Sequence, residues 1–366
     1  MSAQRRDRLL TGVGNSRKPT FFFRRTVHAG SGNTMKQPVI TQHIYPAEAS
    51  VQQDLISLWR SEWSQTDYNW LEALYGDYSK TLTIVSMIAR VDDQPVATAT
   101  VNLPRNSPEV CLLGNVVTLK PYRGRGLGAA VTDAAVAYGF DAGCRIACLG
   151  SSRVRGNVYK RIGFEYLSGC IMCRSAGSEQ HDDINLFASG QATKIRNANW
   201  GDMPGLVSLL TQSLPDTVLD YPRGLFSVKS ADPVRCVSAF AAIHDQTRQR
   251  GGLMLTLASQ SGSRVFGFGS LTPGPSPGRT HQAVLDVAAH DRYSGSLGEI
   301  IDRLRYEATQ RGVEVLRAFV GTEESLKTSA LTVAGFRPAG RLSDHFQLRN
   351  GAMDAIVLDA KLSGMC

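Results

Sequence analysis

Between Val116 and Ala130 an apolar, strand-like run ends in Lys120-Pro121-Tyr122-Arg123-Gly124-Arg125-Gly126-Leu127-Gly128, and an Ala-rich helical run starts at once. Glycines at 124, 126 and 128 let backbone N–H groups approach a ligand without interference from a Cβ. The helix start adds N–H groups that lack intrahelical partners and the positive end of a dipole. Such a turn is built for a pyrophosphate or a similar anion, and Arg123 and Arg125 add charge-assisted contacts. Two familiar phosphate loops are excluded. No G-x-x-x-x-G-K-[ST] is present, and the spacing is G-x-G-x-G, with Asp141 at the end of the helix instead of an acid at the end of the next strand.

Periodicity around this turn predicts a helix over 50–63, strands over 81–90 and 96–103 joined by a turn at 92–95, a strand over 110–119 and a helix over 126–140. A strand over 145–150, a short helix over 156–162 closed by Gly163-Phe164, and a hairpin over 166–174 come next. The polar stretch 176–192 reads as a linker. A comparable order then restarts: a helix over 202–214, strands over 253–258, 265–271 and 283–289, a helix over 297–310, a strand over 313–320 and a helix over 326–333. The last hairpin turns at Asn350-Gly351. Gly335-Phe336 repeats Gly163-Phe164; taking Arg292 as the counterpart of Arg123, the spacing to the glycine is 43 against 40 positions. Order and spacing predict an internal repeat of period near 170, two copies of one α/β fold.

A length of 366 residues accommodates a tail and two such units. The net charge of +8 is unevenly placed: residues 1–36 hold eight basic residues and one acid, net +7, which leaves +1 for the other 330. The body is neutral, and the basic leader is expected to be disordered. Alternatives for it are a transit peptide, a nucleic-acid-binding arm, or a start placed upstream of Met35. No apolar run reaches the 18 or so residues needed to cross a bilayer, so a cytoplasmic protein is expected, organellar if the leader is a transit peptide. The seven cysteines are odd in number, scattered and set in apolar runs, which reads as reduced core thiols; Cys170 and Cys173 fall on a strand with their sulfurs on opposite faces. No histidine or cysteine spacing suits a metal.

The strand–turn–helix segment resembles motif A of the GNAT superfamily of acyl-CoA-dependent N-acyltransferases, [Q/R]-x-x-G-x-[G/A], here Arg123, Gly126 and Gly128 preceded by Val117, Leu119 and Pro121. Tyr159-Lys160-Arg161-Ile162-Gly163-Phe164 is similar to the family's Y-x-[K/R]-x-G-F block. The resemblance implies two tandem folds, each a mixed, mostly antiparallel sheet flanked by helices: a catalytic domain at 37–175 and a degenerate one at 193–366. It implies acetyl-CoA as cosubstrate, no metal, and direct transfer to a primary amine. The strand residues Val117, Thr118 and Leu119 would bond the pantetheine, and Arg123, Gly124, Arg125, Gly126, Leu127, Gly128 and Ala129 would hold the pyrophosphate. Tyr159 would protonate the departing thiolate, and Glu109, near where some members carry a catalytic Glu, is the candidate base. Many members have an Asn seven residues before the Tyr; here that position is Ser152, beside Ser151, and Asn157 is the nearest Asn. Trp59, Trp63, Tyr68, Trp70, Tyr75 and Tyr78 occupy the region that lines the acceptor site in the family.

In the second half Asp291 stands where phosphates would approach, the glycines are differently spaced, and Ala330 or Leu331 takes the place of Tyr159. In tandem members of the family one copy is active and the other shapes the acceptor site; a purely structural role, replacing a homodimer partner, is the alternative. The expected partner is an amine-bearing acceptor, a small molecule before a protein, with no membrane or nucleic acid, for a monomer or homodimer. The rival reading is a catalytically weak acyl-CoA-binding or regulatory protein.

Overall fold

The computed structural model describes residues 20–21, 37–62, 77–106, 108–151, 156–168, 171–177, 186–210, 218–219, 225–226, 251–260, 264–274, 277–348 and 351–362. Two sheets are built in succession. The first is made of β1 (Thr20–Phe21), β2 (Val39–Ile44), β3 (Leu82–Val91), β4 (Gln94–Pro104), β5 (Val110–Thr118), β6 (Ile146–Gly150), β7 (Glu165–Ser168) and β8 (Ile171–Ser175), in the order β1-β2-β3-β4-β5-β6-β8-β7. Within the basic leader, Thr20–Phe21 therefore adds a short edge strand to β2. The second sheet comprises β9 (Thr193–Asn197), β12 (Leu253–Ser259), β13 (Val265–Pro273), β14 (Gln282–Ala289), β15 (Val315–Gly321), β16 (Arg337–Leu348) and β17 (Gly351–Lys361). Its order is β16-β17-β15-β14-β13-β12-β9, and β10 (Val218–Leu219) and β11 (Leu225–Phe226) form a separate two-residue ladder. Each large sheet is antiparallel except for one pair, β5 with β6 and β14 with β15, each joined by a crossover helix. The chain is thus an α/β protein of two similar folds.

The predicted elements are present, with shifts at their ends that have local causes. The β3–β4 turn is tighter than 92–95: only Asp92 and Asp93 turn, both at positive φ, and Pro95 lies in β4 at a register shift opposite Arg90. Of the helix expected over 202–214, the described part is a short 3₁₀ turn, Trp200–Asp202, opened by an Asn199/Asp202 capping box, and then helix Met203–Leu210; 211–214 lie outside the described residues. β2 and β9 have no counterpart among the predicted strands, because their burial is irregular and the apolar alternation is weak. The Asn350 turn and Cys170, Cys236 and Cys366 lie outside the described residues.

Helix α1 (Ala49–Arg60) turns Val51, Leu55, Leu58 and Trp59 onto one face of the first sheet. Helix α2 (Leu127–Asp141) covers the other face with Leu127, Val131, Ala135 and Val136. A short helix, α3 (Gly156–Lys160), comes after β6. In the second half α4 (Met203–Leu210) has all eight residues buried, α5 (Leu297–Gln310) is amphipathic, and α6 (Ser325–Val333) mirrors α3.

Total burial of α4 has a structural cause. Met203, Leu206, Val207, Leu209 and Leu210 share one core with Leu55 and Leu58 of α1, Leu112 of β5 and Phe268 of β13, so α4 is sandwiched between the sheets. Around it, Tyr78 packs on Trp200 with ring centroids 3.9 Å apart, and a Cβ at Gly201 would lie 2.7 Å from the Thr81 carbonyl. Cys111, Cys144, Cys148 and Cys173 are free, buried thiols. A bond to Cys148 and burial push the Cys173 thiol well above its usual range, which keeps it protonated as a packing group. Leu209→Ala is expected to lower stability by about 2–5 kcal/mol in urea unfolding, because the hole opens in a core that neither half can close alone.

Candidate active site

The site grows from an interruption in β5. Its parallel pairing with β6 covers only Val110–Leu113 against Ile146–Leu149, and the strand then runs on to Thr118 without that neighbour. On its other side the register shifts, Thr98 opposing Val117 while Thr100 opposes Gly114, so three steps on β5 face two on β4. Asn115, at φ 52°, takes up the extra residue. A bulge bends its strand and increases the twist; here β5 leaves β6, and a slot opens between them.

At the far end of the slot β5 runs into the glycine turn. Leu119 N–H still bonds the Val96 carbonyl at 2.9 Å, a 3₁₀ turn covers Lys120–Tyr122, and Arg123 is extended. Gly124 and Gly126 adopt φ of 77° and 78°, where a side chain is strained, and a Cβ on either would project into open space. The first helical bond of α2 is Ala130 N–H to Gly126 O, 3.0 Å, so the N–H groups of Leu127, Gly128 and Ala129 point out of the helix end. A Cβ at Gly128 would lie 3.0 Å from Thr118 Oγ1, so the helix start is pressed onto the strand end. The strand end, the glycine turn and the helix start thus bring outward-facing backbone N–H groups beside open space at Gly124 and Gly126, a donor set that suits an anion. Val117 and Leu127 are core side chains.

The two arginines are held in place. Arg125 Nη2 donates to Pro121 O at 3.0 Å, with its guanidinium 5.1 Å from the Tyr122 ring centre. Arg123 Nε donates to Thr118 O at 3.0 Å, and its Nη2 forms an ion pair with Glu62, just beyond the end of α1. Sequence reading missed Glu62, because its partner is 61 residues away.

Tyr159 on α3 is half-buried, edge-on to Phe164 at 6.2 Å, and packed on the core under α2. A Cβ at Gly156 would fall 1.9 Å from Tyr166 Oη, so α3 sits directly on β7. Asn157 is on the exposed face of α3, and Ser151 is buried at the end of β6. Ser152 lies outside the described residues, as do Trp63, Tyr68, Trp70 and Tyr75. Trp59 and Tyr78 are core residues, Tyr78 against the second half.

Glu109 does not join this group. It precedes β5 at the end remote from the glycine turn, before the strands part, and Arg264 of the second half donates to both carboxylate oxygens through Nε and Nη2. Arg264 Nη1 also bonds Gln191 Oε1 at 2.9 Å, and the bond to Glu109 raises the guanidinium pKa further. Glu109 is a clasp between the halves.

Among the described residues, Trp59 Nε1, Thr98 Oγ1 and Asn115 Nδ2 are buried without a hydrogen-bond partner. Thr98 opposes Val117, Asn115 is the bulge, and Trp59 shares the Val117 core. Buried polar atoms of this kind are rarely left unsatisfied; Asn102 Oδ1, Thr272 Oγ1 and Arg305 Nε share that condition, so it is not confined to the slot.

The second half repeats the first bond for bond. Glu109 O accepts from Arg145 and Ile146 N–H, and His281 O accepts from Glu314 and Val315 N–H; Tyr122 N–H bonds Leu119 O as Tyr293 N–H bonds His290 O. Phe164 N–H bonds Tyr159 O at 3.1 Å and Phe336 N–H bonds Leu331 O at 3.0 Å, which makes buried Leu331 the counterpart of Tyr159. The same frame aligns Arg123 with Ser294, not with Arg292. The turn itself differs: Asp291–Ser296 is a continuous 3₁₀ segment running into α5, with Leu297 N–H bonded to Ser294 O. The segment 186–190 lies against it, with Phe187 stacked on His290 at 4.5 Å and its carbonyl accepting from Arg292 Nη1 at 3.3 Å. Burial lowers the His290 pKa, so the stacked ring is neutral.

β14 and β15 also part, after pairing Gln282–Val284 with Val315–Arg317, but a buried charge cluster spans the gap. Lys327 Nζ on α6 donates to Asp286 Oδ1 on β14 at 3.1 Å and lies 3.8 Å from Glu324, whose Oε2 accepts from Gly321 N–H at the end of β15.

Residues 50–164 match the family model described as acetyltransferase (GNAT) family. No curated protein matches the sequence. Similar solved structures include a ribosomal-protein-alanine N-acetyltransferase from Brucella melitensis, 20% identical over 46% of this chain and 99% of that one, TM-score 0.38. A putative acetyltransferase from Salmonella typhimurium, solved with its cofactor acetyl-CoA, is 15% identical over 48% and 97%, TM-score 0.39. A phosphinothricin acetyltransferase from Sinorhizobium meliloti, in complex with AcCoA, is 14% identical over 47% and 89%, TM-score 0.39. Among the described residues no group of three or more metal-ligating side chains occurs, and no helix is long and apolar enough to cross a membrane.

Lys327→Met is expected to cost about 3–5 kcal/mol in chemical denaturation, since it strands two buried carboxylates; adding Asp286→Asn should recover part of the loss.

Proposed function

Taking residues 50–164 as a GNAT acetyltransferase domain, we propose that the first half binds acetyl-CoA and transfers its acetyl group directly to a primary amine in a ternary complex. The observation that supports this most is the slot between β5 and β6, opened by the Asn115 bulge and ending at Gly124–Ala129. Backbone groups of Gly114–Thr118 that lack a β6 partner bond the pantetheine as an added strand does. The glycine turn and the α2 N-terminus hold the pyrophosphate. Acetyl-CoA supplies the thioester.

Tyr159, half-buried on the helix that follows β6, donates its hydroxyl proton to the departing sulfur. The incoming amine must shed a proton, which costs about 4.6 kcal/mol for an ammonium of pKa about 10.4 at pH 7. α2 covers one face of the sheet, so the acceptor enters from the α1 face, which is narrowed by buried α4. This narrowing supports a small-molecule acceptor over a protein. The engagement of Glu109 by Arg264 favours, as a second reading, an acyl-CoA-binding protein of weak activity.

Thiol release from acetyl-CoA with a panel of amines tests the activity, and saturable binding without release from any of them would support the second reading. Calorimetry should give one CoA per chain, because the second-half slot is spanned by Lys327 and its turn is closed. Gly126→Glu should abolish binding, as the carboxylate would enter the anion site. Tyr159→Phe should retain binding and lower turnover by about 100-fold; unchanged turnover would remove Tyr159 from the chemistry.

A further inference from the structure

The Glu62–Arg123 ion pair joins two parts of the molecule that the reaction would otherwise keep separate. Arg123 opens the glycine turn, and its Nε bond to Thr118 O fixes the guanidinium over the strand end. Glu62 lies just past α1, on the face opposite α2, with its N–H bonded to Trp59 O at 3.1 Å. Its carboxylate is 20% exposed while the guanidinium is 47% exposed, so the acid faces inward and the base remains accessible to an anion from solvent. A pyrophosphate at the turn offers Arg123 a doubly charged partner with bidentate geometry, which competes with the single Glu62 carboxylate for the half-exposed guanidinium.

We propose that this pair is a latch that orders substrate binding: the cofactor's phosphates draw Arg123 away, and the released Glu62 carboxylate then receives the acceptor as a cationic amine. The inference rests on the acetyl-CoA reading above and adds a residue and a substrate charge to it. Glu62 acts as a positioning residue. Before cofactor binds its charge is neutralised, and afterwards it is a partly desolvated anion at the entrance through which the amine must pass. The acceptor therefore carries a positive charge in its resting form, and the cofactor binds first.

The pair makes a specific prediction of opposite sign for its two substrates. Glu62→Gln removes the competitor for Arg123, so CoA should bind about two- to fivefold more tightly in calorimetry at low salt, the range of an exposed pair worth up to about 1 kcal/mol. Arg123→Gln should weaken CoA binding, and in that background Glu62→Gln should change nothing, as a double-mutant cycle requires for a direct pair. With any amine that the wild type acetylates, Glu62→Gln should raise the KM for the amine with little change in kcat. Unchanged or weaker CoA binding by Glu62→Gln, or tightening that persists without Arg123, would overturn the latch while leaving the cofactor site standing. A wild-type protein that fails to bind CoA at all would overturn the acetyl-CoA reading, and the latch with it.

Discussion

Everything at the site depends on where β5 stops pairing with β6. A parallel ladder satisfies backbone groups on both strands, and ending it inside a sheet exposes buried polar groups unless something else bonds them. In the first half the end of the ladder coincides with the Asn115 bulge, and beyond it lies a slot closed at one end by glycines and a helix start. In the second half β13 and β14 stay in unbroken register from Gly267–Ala289 to Pro273–Ala283, with no bulge. The strands still part, and the space between them is taken by Asp286, Lys327 and Glu324. One topology thus yields an open slot and a sealed one, and the difference lies in a single inserted strand residue and three buried charges.

The halves are not independent bodies placed end to end. α4 belongs by sequence to the second sheet, yet its side chains complete the core beneath α1 and β5. Glu109 and Arg264 fasten the start of β5 from the same side, and Tyr78 on Trp200 fastens the turn before β3. A strand that must bend at Asn115 needs its other end fixed, and the second half supplies that fixity. This gives the second half a physical role that requires no ligand of its own.

The sequence is most legible where backbone conformation dictates residue type. Gly124 and Gly126 sit at positive φ and Gly163 and Gly335 close equivalent helices at 86° and 90°, so those landmarks can be read directly. Strand and helix bodies come from periodicity. Illegible are contacts across long separations: Glu109 gives no local sign that Arg264, 155 residues on, will take both of its oxygens. Matching side chains also mislead. Arg292 looks like Arg123, but the tyrosine before the turn shows that Ser294 is its counterpart, since Tyr293 and Tyr122 close the same hydrogen bond. The bulge is unmarked as well, because Asn115 among valines and leucines carries only a mild preference for positive φ.

The contrast between the halves extends to what lies between the parted strands. Burying a lysine with two carboxylates is expensive, and such clusters are not generally a route to stability. At the β14–β15 gap the three charges pair with one another, and one of them also bonds the backbone. Gly321 N–H, which bonds Glu324, is the group so served. Buried polar atoms without a hydrogen-bond partner occur in both halves among the described residues, at Trp59, Thr98, Asn102 and Asn115 in the first and at Thr272 and Arg305 in the second. One copy thus fills the space between its parted strands with a buried charge cluster, and the other has no such cluster among its described residues.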